Sequence, residues 1–347
     1  MHPSKHSFLP LVTSLLFLVC APYLLVAQPG LPVVSDSDSD GISDAVEQSL
    51  LTQFAPTFMV SRNECAGLPA EFISGNHSPA VQSENGTIYG EVFPLKTGTP
   101  AAPRVEIHFY HLWKQDCGAH GHALDAEHVS LLAQASTNDL STANWKALYW
   151  YAAAHQNTVC DVSQIGRAST LGAEEHGATV WISAGKHASF LNERLCERGC
   201  GGDVCEEMTP MVISQIVNLG EPSQPMNGSV WMQSNKWALA AKMNSTDFPA
   251  AALARLTSLP ATDIAWFNAG KHPMQGTIAI SGLTADTLMN SGHTTAGGIS
   301  VGEDSAGNAL KKSYRNTVRA LGSAKRSVGK ALRLSVRRIQ LSQEGHS

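Results

Sequence analysis

The sequence predicts a mainly β protein: an antiparallel β-sandwich, with an N-terminal calcium loop plus short helix before it and a C-terminal basic helical tail after it. Three observations carry this expectation. Short aromatic or β-branched runs separated by turn residues fill positions 56–283. Residues 36–47 place acidic side chains, a glycine and an apolar residue at the spacing of a Ca²⁺ loop. Ala309 to Leu341 holds ten basic residues and no acidic one.

In chain order, residues 1–27 come first. Lys5 precedes an apolar run from Phe8 to Val26 that ends at Ala27, the pattern of a cleaved secretory signal. This points to a secreted, periplasmic or extracellular location.

Residues 28–55 form the calcium segment. An EF-hand-type loop needs oxygens at positions 1, 3, 5, 9 and 12, a backbone carbonyl at 7 and a glycine at 6. Asp36, Asp38, Asp40, Asp44, Glu47, Ile42 and Gly41 fill those places in order. Ca²⁺ is therefore the expected ion, held as a structural clip because protein oxygens fill the ligand positions. Pro29 and Pro32 argue against an entering helix, whereas Ala45, Val46, Leu50, Leu51 and Phe54 recur at helical spacing and predict an exiting one.

Strands follow over residues 56–283. Val105, Ile107, Phe109 and His111 alternate with Glu106, His108, Tyr110 and Leu112, so a strand places these two sets on opposite faces. Ala147–Tyr151, Ala178–Ile182 and Thr277–Ile280 are further β runs; long helical periodicity is scarce here, and Phe248–Leu256 is one candidate. Sheets packed face to face bury such strands most simply. Residues 284–308 read as a linker, with five glycines between Ser291 and Asn308. Residues 309–347 read as a basic tail, a candidate amphipathic helix for an anionic lipid surface. The rest of the chain is acidic, which argues against nucleic acid as a partner. No sequence feature specifies an oligomeric state.

Loss of the signal would remove Cys20 and leave Cys65, Cys117, Cys160, Cys196, Cys200 and Cys205. An even count in an exported chain reads as disulfides of open pairing. The crowding of Cys196, Cys200 and Cys205 leaves a zinc knuckle as the rival.

The second chemical segment is His120 to His128. On a strand, Asp125 and Glu127 share a face, and His122 just before it can fold over that face. Two carboxylates and an imidazole suit a second divalent ion (Ca²⁺, Mg²⁺ or Zn²⁺) or an acid/base pair. His108, Asp116, His155 and His187 are candidate neighbours, and His111 and His176 add to the surrounding histidines.

Gly121-His122-x-x-Asp125-x-Glu127 resembles the signature of the necrosis-inducing (NPP1-like) toxins. Together with the strand Val105–Tyr110, the segment Gly185-Lys186-His187-Ala188 and the acidic leader before Phe54, it is also similar to the vacuolar protein sorting "sixty-two"-like family. The resemblance spans Asp36 to Phe190. It implies a β-sandwich with a divalent ion held by His122, Asp125 and Glu127, with Asp116 nearest to the place of the upstream acidic ligand. In the toxins such an ion helps engage a sphingolipid headgroup; here Ala126 stands where they have Trp.

Three functions follow as expectations. The first is a secreted calcium-binding protein with a second divalent-metal site, binding a glycan or lipid headgroup at a membrane surface. The second is a metal-dependent hydrolase with Glu127 or His187 as general base. No Gly-x-Ser-x-Gly, His-Glu-x-x-His or phosphate-cradling motif supports this reading, so the balance leans away from an enzyme. The third is an exported structural protein without catalytic activity.

Overall fold

A computed structural model describes residues 35–279, apart from 119–120, 142, 159, 200–202, 244, 258–262, 269–270 and 272–276. The expected signal segment, the 284–308 linker and the basic tail lie outside the described residues, as does Cys200.

The first element, α1 (Asp44–Gln53), starts where Ser43 caps the backbone N–H of Val46 and stops before Pro56, which disfavours helix at the residue preceding it. Its apolar stripe buries Leu50 and Leu51, and Phe54 is buried just beyond. A Cβ on Gly90 would collide with Leu51, so a glycine there lets the helix lie on the sheet.

The strands follow: β1 (Thr57–Ser61), the short pair β2 (Glu71–Phe72) and β3 (Val81–Ser83), then β4 (Thr87–Thr99), β5 (Ala102–Gln115), β6 (Ala123–Ala135) and β7 (Trp145–Ala152). After these come β8 (Gln164–Arg167), α2 (Ala168–Leu171), β9 (Thr179–Ile182), β10 (Ser189–Phe190), α3 (Glu193–Arg198), β11 (Met208–Pro210) and β12 (Gln215–Asn218). The hairpin β13 (Gly220–Glu221) and β14 (Gln224–Pro225), a 3₁₀ turn at Val230–Gln233, α4 (Leu239–Lys242), α5 (Ala250–Leu256), β15 (Asp263–Trp266) and β16 (Thr277–Ala279) complete the described part. The expected strands at 105–112, 147–151, 178–182 and 277–280 and the helix at 248–256 correspond to β5, β7, β9, β16 and α5.

The protein is mainly β, and its pairings are chiefly antiparallel. One sheet runs β10-β9-β1-β11 and the other β12-β4-β5-β6-β7-β8-β15-β16. Two pairs, β1 with β9 and β4 with β12, are parallel, a departure from the purely antiparallel expectation. One hydrophobic core draws on both sheets, with Phe58, Val180, Ile182 and Phe190 from the smaller and Ile107, Phe109, Val129 and Trp150 from the larger.

The outer face of the large sheet is covered too. Trp231, Met232 and Leu239 pack with Tyr110, Leu112 and Ala126, while Phe248 and Leu256 pack with Leu132 and Tyr151. Both faces of β5 are therefore buried, and the polar half of its alternating pattern lies inside the protein.

Cys65 pairs with Cys117 and Cys196 with Cys205; Cys160 is also disulfide-bonded. The second pair takes two thiols away from the zinc-knuckle reading. Among the described residues, no helix is long and apolar enough to cross a membrane.

Candidate functional site

The acidic loop folds on itself ahead of α1. Gly41 adopts φ +94°, which a residue with a side chain rarely adopts. The carboxylates of Asp36, Asp38 and Asp40 gather with ligand oxygens within 4.8 Å of one another. Asp38 and Glu47 are buried, and both Asp38 oxygens, Asp40 Oδ2 and Glu47 Oε1 have no hydrogen-bond partner. Burial, with the neighbouring Asp38 charge, pushes Glu47 up to about 8; burial likewise pushes Asp40 up to about 6. The other Glu47 oxygen accepts from Asn218 at 2.9 Å. Asp44 acts differently, since its two oxygens accept from the Ser37 N–H and hydroxyl, both at 2.7 Å, and so clamp the loop. Buried, unpartnered carboxylate oxygens that face one another are costly without a cation.

Five of the other predicted residues, Asp116, His122, Asp125, Glu127 and His155, line a cleft of about 700 Å³ together with Lys242, whereas His108 and His187 are buried and outside its lining. The alternation of β6 does aim Asp125 and Glu127 at one side, opposite Trp113 and His111 of β5. His122, expected to fold over that face, instead points outward with its side chain 59% exposed, 3.8 Å from Asp116.

Each carboxylate already has a cationic partner. Asp125 Oδ2 accepts from His187 Nδ1 at 2.7 Å, and Asp125 Oδ1 accepts from the Ala126 N–H. His187 is fully buried, stacked on Trp113 at 3.9 Å, with Nε2 3.4 Å from Glu64. Burial opposes its charge, but the bonds to Asp125 and Glu64 raise it to about 9. Burial works against Asp125, and the His187 bond holds its carboxyl below the ordinary range. Glu127 pairs with Lys242 Nζ at 3.1 Å; burial lifts it to about 7 despite the ammonium. Asp116 pairs with Lys186 at 2.7 Å, and His155 with Asp203 at 2.8 Å. The Cys65–Cys117 disulfide ties the loops bearing Glu64 and Asp116 together, beside the turn that carries Lys186 and His187.

His122, Asp125 and Glu127 thus share a cleft without forming one coordination shell. Among the described residues, ligand atoms converge at Asp36/Asp38/Asp40, at His108/His128/Asp247 and at Glu64 with the disulfide cysteines 65 and 117, but not at that triplet. Lys242, at the end of α4, and Trp237, on the turn before it, also line the cleft and had no signal in the sequence; Lys186 lay in the Gly185–Ala188 segment but had no role assigned to it. A smaller hollow of about 330 Å³ lies beside Phe72, Tyr89 and Trp231.

No protein-family model and no curated relative matches the chain. Among solved structures, it is similar to that of an NLPPya mutant, at 14% identity over 61% of this chain and 89% of that chain, with a TM-score of 0.33. NLPPya in complex with glucosamine gives 13% identity over 65% of this chain and 93% of that chain, with a TM-score of 0.31. The non-toxic HaNLP3 protein gives 10% over 60% and 89%, with a TM-score of 0.30. These neighbours are necrosis and ethylene-inducing peptide 1-like proteins, toxins among them.

Proposed function

We propose that this chain is an exported, Ca²⁺-organised binding protein with a β-sandwich body, whose cleft receives a glycan or the glycosylated headgroup of a lipid. The observation that carries this reading is the cleft itself. Asp125, Glu127, Lys186 and Lys242 alternate acceptors and donors over one hollow, with Trp237 beside them. Sugar hydroxyls both donate and accept, so they match such mixed charge, while an aromatic ring suits the apolar face of a sugar. Ca²⁺ belongs in the Asp36–Glu47 loop, where the ion replaces the missing partners of the Asp38, Asp40 and Glu47 oxygens. The carbonyl of Ile42 supplies the seventh-position ligand, and water carried by Asp44 serves the ninth. A further divalent ion between Asp125 and Glu127 would have to displace Lys242, so ligand binding is assigned to the protein groups directly.

A second reading rests on Glu127 alone. Its value of about 7 suits a general acid or base, as a hydrolase would need.

Retention of the oxidised, Ca²⁺-loaded protein on an immobilised glycan panel tests the proposal. The wild type is expected to bind at least one glycan class, and folded Glu127→Gln to bind it at least about tenfold more weakly. Equal retention of both, or none of either, would remove the cleft as the site. Hydrolysis of a retained glycan by wild type but not by Glu127→Gln would favour the second reading.

A further inference from the structure

On the outer face of the large sheet lies a polar cluster that the cleft chemistry does not use. Glu91, Glu106, His108 and Ser130 are fully buried, and His128 and Asp247 nearly so. His108 and His128 come from neighbouring strands β5 and β6, and Asp247 from the segment entering α5. We propose that His108, His128 and Asp247 form a site for a zinc-class divalent ion, separate from the Asp36–Glu47 loop and from the Asp125–Glu127 pair.

The donor set comes first. Two imidazoles and one carboxylate select borderline ions such as Zn²⁺ over Ca²⁺ or Mg²⁺, which prefer all-oxygen shells. Spacing agrees. Asp247 Oδ2 lies 3.0 Å from His128 Nε2 and 3.6 Å from His108 Nε2. Ligands on a tetrahedral ion with bonds of about 2.0–2.1 Å stand roughly 3.3 Å apart.

The surrounding groups orient the donors. Tyr110 gives its one hydroxyl proton to Glu91 at 2.6 Å, so at its 2.9 Å contact with His108 Nδ1 it must accept. That fixes a proton on Nδ1 and leaves Nε2 between Glu106, at 2.7 Å, and Asp247, at 3.6 Å, as a hydrogen bond from the other ring nitrogen orients metal-binding histidines. Ser130 donates to Asp247 Oδ2 at 2.6 Å and holds that carboxylate in place.

Without an ion, Nε2 must also carry a proton, which it gives to Glu106 at 2.7 Å. His128 Nδ1 remains buried with no partner. Three carboxyl groups and one imidazolium are then enclosed away from water, a costly arrangement that a divalent cation relieves. On binding, the ion takes the Nε2 lone pairs of both histidines: the His108 Nε2 proton leaves to solvent, and the His128 Nε2 proton, given to Asp247 in the metal-free fold, shifts to Nδ1 of the same ring. His128 and Asp247 also line the cleft, which gives the ion a way in.

The test titrates Zn²⁺ into the oxidised full-length mature protein saturated with Ca²⁺. One Zn²⁺ per chain is expected. Asp247→Asn and His128→Gln should weaken it at least about tenfold with bound Ca²⁺ unchanged. His122→Ala, on the exposed rim, should leave it unchanged. Wild type loaded with Co²⁺ supplies a readout independent of variant folding: intense visible bands of a four-coordinate, nitrogen-containing site. Absence of stoichiometric Zn²⁺, weak six-coordinate Co²⁺ bands, or undiminished binding by a folded Asp247→Asn protein would overturn the proposal.

Discussion

Chelating Ca²⁺ is expected to lower the melting temperature of the oxidised protein, by a margin that widens between pH 5 and pH 8. The cause is Glu47, buried among acidic neighbours and held near 8 in the metal-free fold, well above its ordinary 4.5. A carboxyl raised on folding is most favourable to the fold when protonated. Its contribution is complete below the unfolded value and is lost as pH rises through about 8. That interval corresponds to on the order of 3–5 kcal/mol. Asp40, near 6, adds to the same trend. The proposed Ca²⁺ would reverse the sign, because it would bind the ionised carboxylates and compete with protons, so its affinity would rise with pH. Calorimetric melting with and without chelator at both pH values checks this. An equal melting temperature at pH 8 would remove the ion from the loop.

Asp125→Ala destabilises the protein by about 3–5 kcal/mol at pH 7, because it strands a buried imidazolium at His187. Only Glu64, at 3.4 Å, would remain opposite that charge. His187 is raised to about 9, so the pair's contribution is complete below the ordinary 6.5 and fades as pH passes 9. Asp125→Asn keeps an oxygen for His187 Nδ1 and should cost less. In a double-mutant cycle measured by urea unfolding, Asp125→Ala combined with His187→Gln should cost clearly less than the sum of the two single changes. Additive effects would mean that the two groups do not interact. This cost also means that loss of binding by Asp125→Ala alone would not identify a ligand contact.

Local patterns foretold local structure well. The alternation in Val105–Leu112 placed Glu106, His108 and Tyr110 on one face of β5, and that of the next strand placed Asp125 with Glu127. The apolar spacing of Ala45, Val46, Leu50, Leu51 and Phe54 marked α1. What the sequence hid are contacts between distant segments. Asp247 reaches His128 across 119 residues and Lys242 reaches Glu127 across 115, because residues 229–256 fold back over the outer face of the sheet. Their neighbours in the chain carry no recognisable motif. For the same reason the sequence did not reveal that lysines and a histidine pair with the carboxylates it offered to a second ion. The cysteine pairing, too, depends on loops whose meeting no spacing rule specifies.

The most direct test of the binding cleft is hydrogen–deuterium exchange of the Ca²⁺-loaded protein with and without a glycan it retains. Slower exchange on binding in residues 122–128 and 236–242 is the expected result. Protection confined to the hollow beside Phe72, Tyr89 and Trp231, or no change at the cleft, would contradict it.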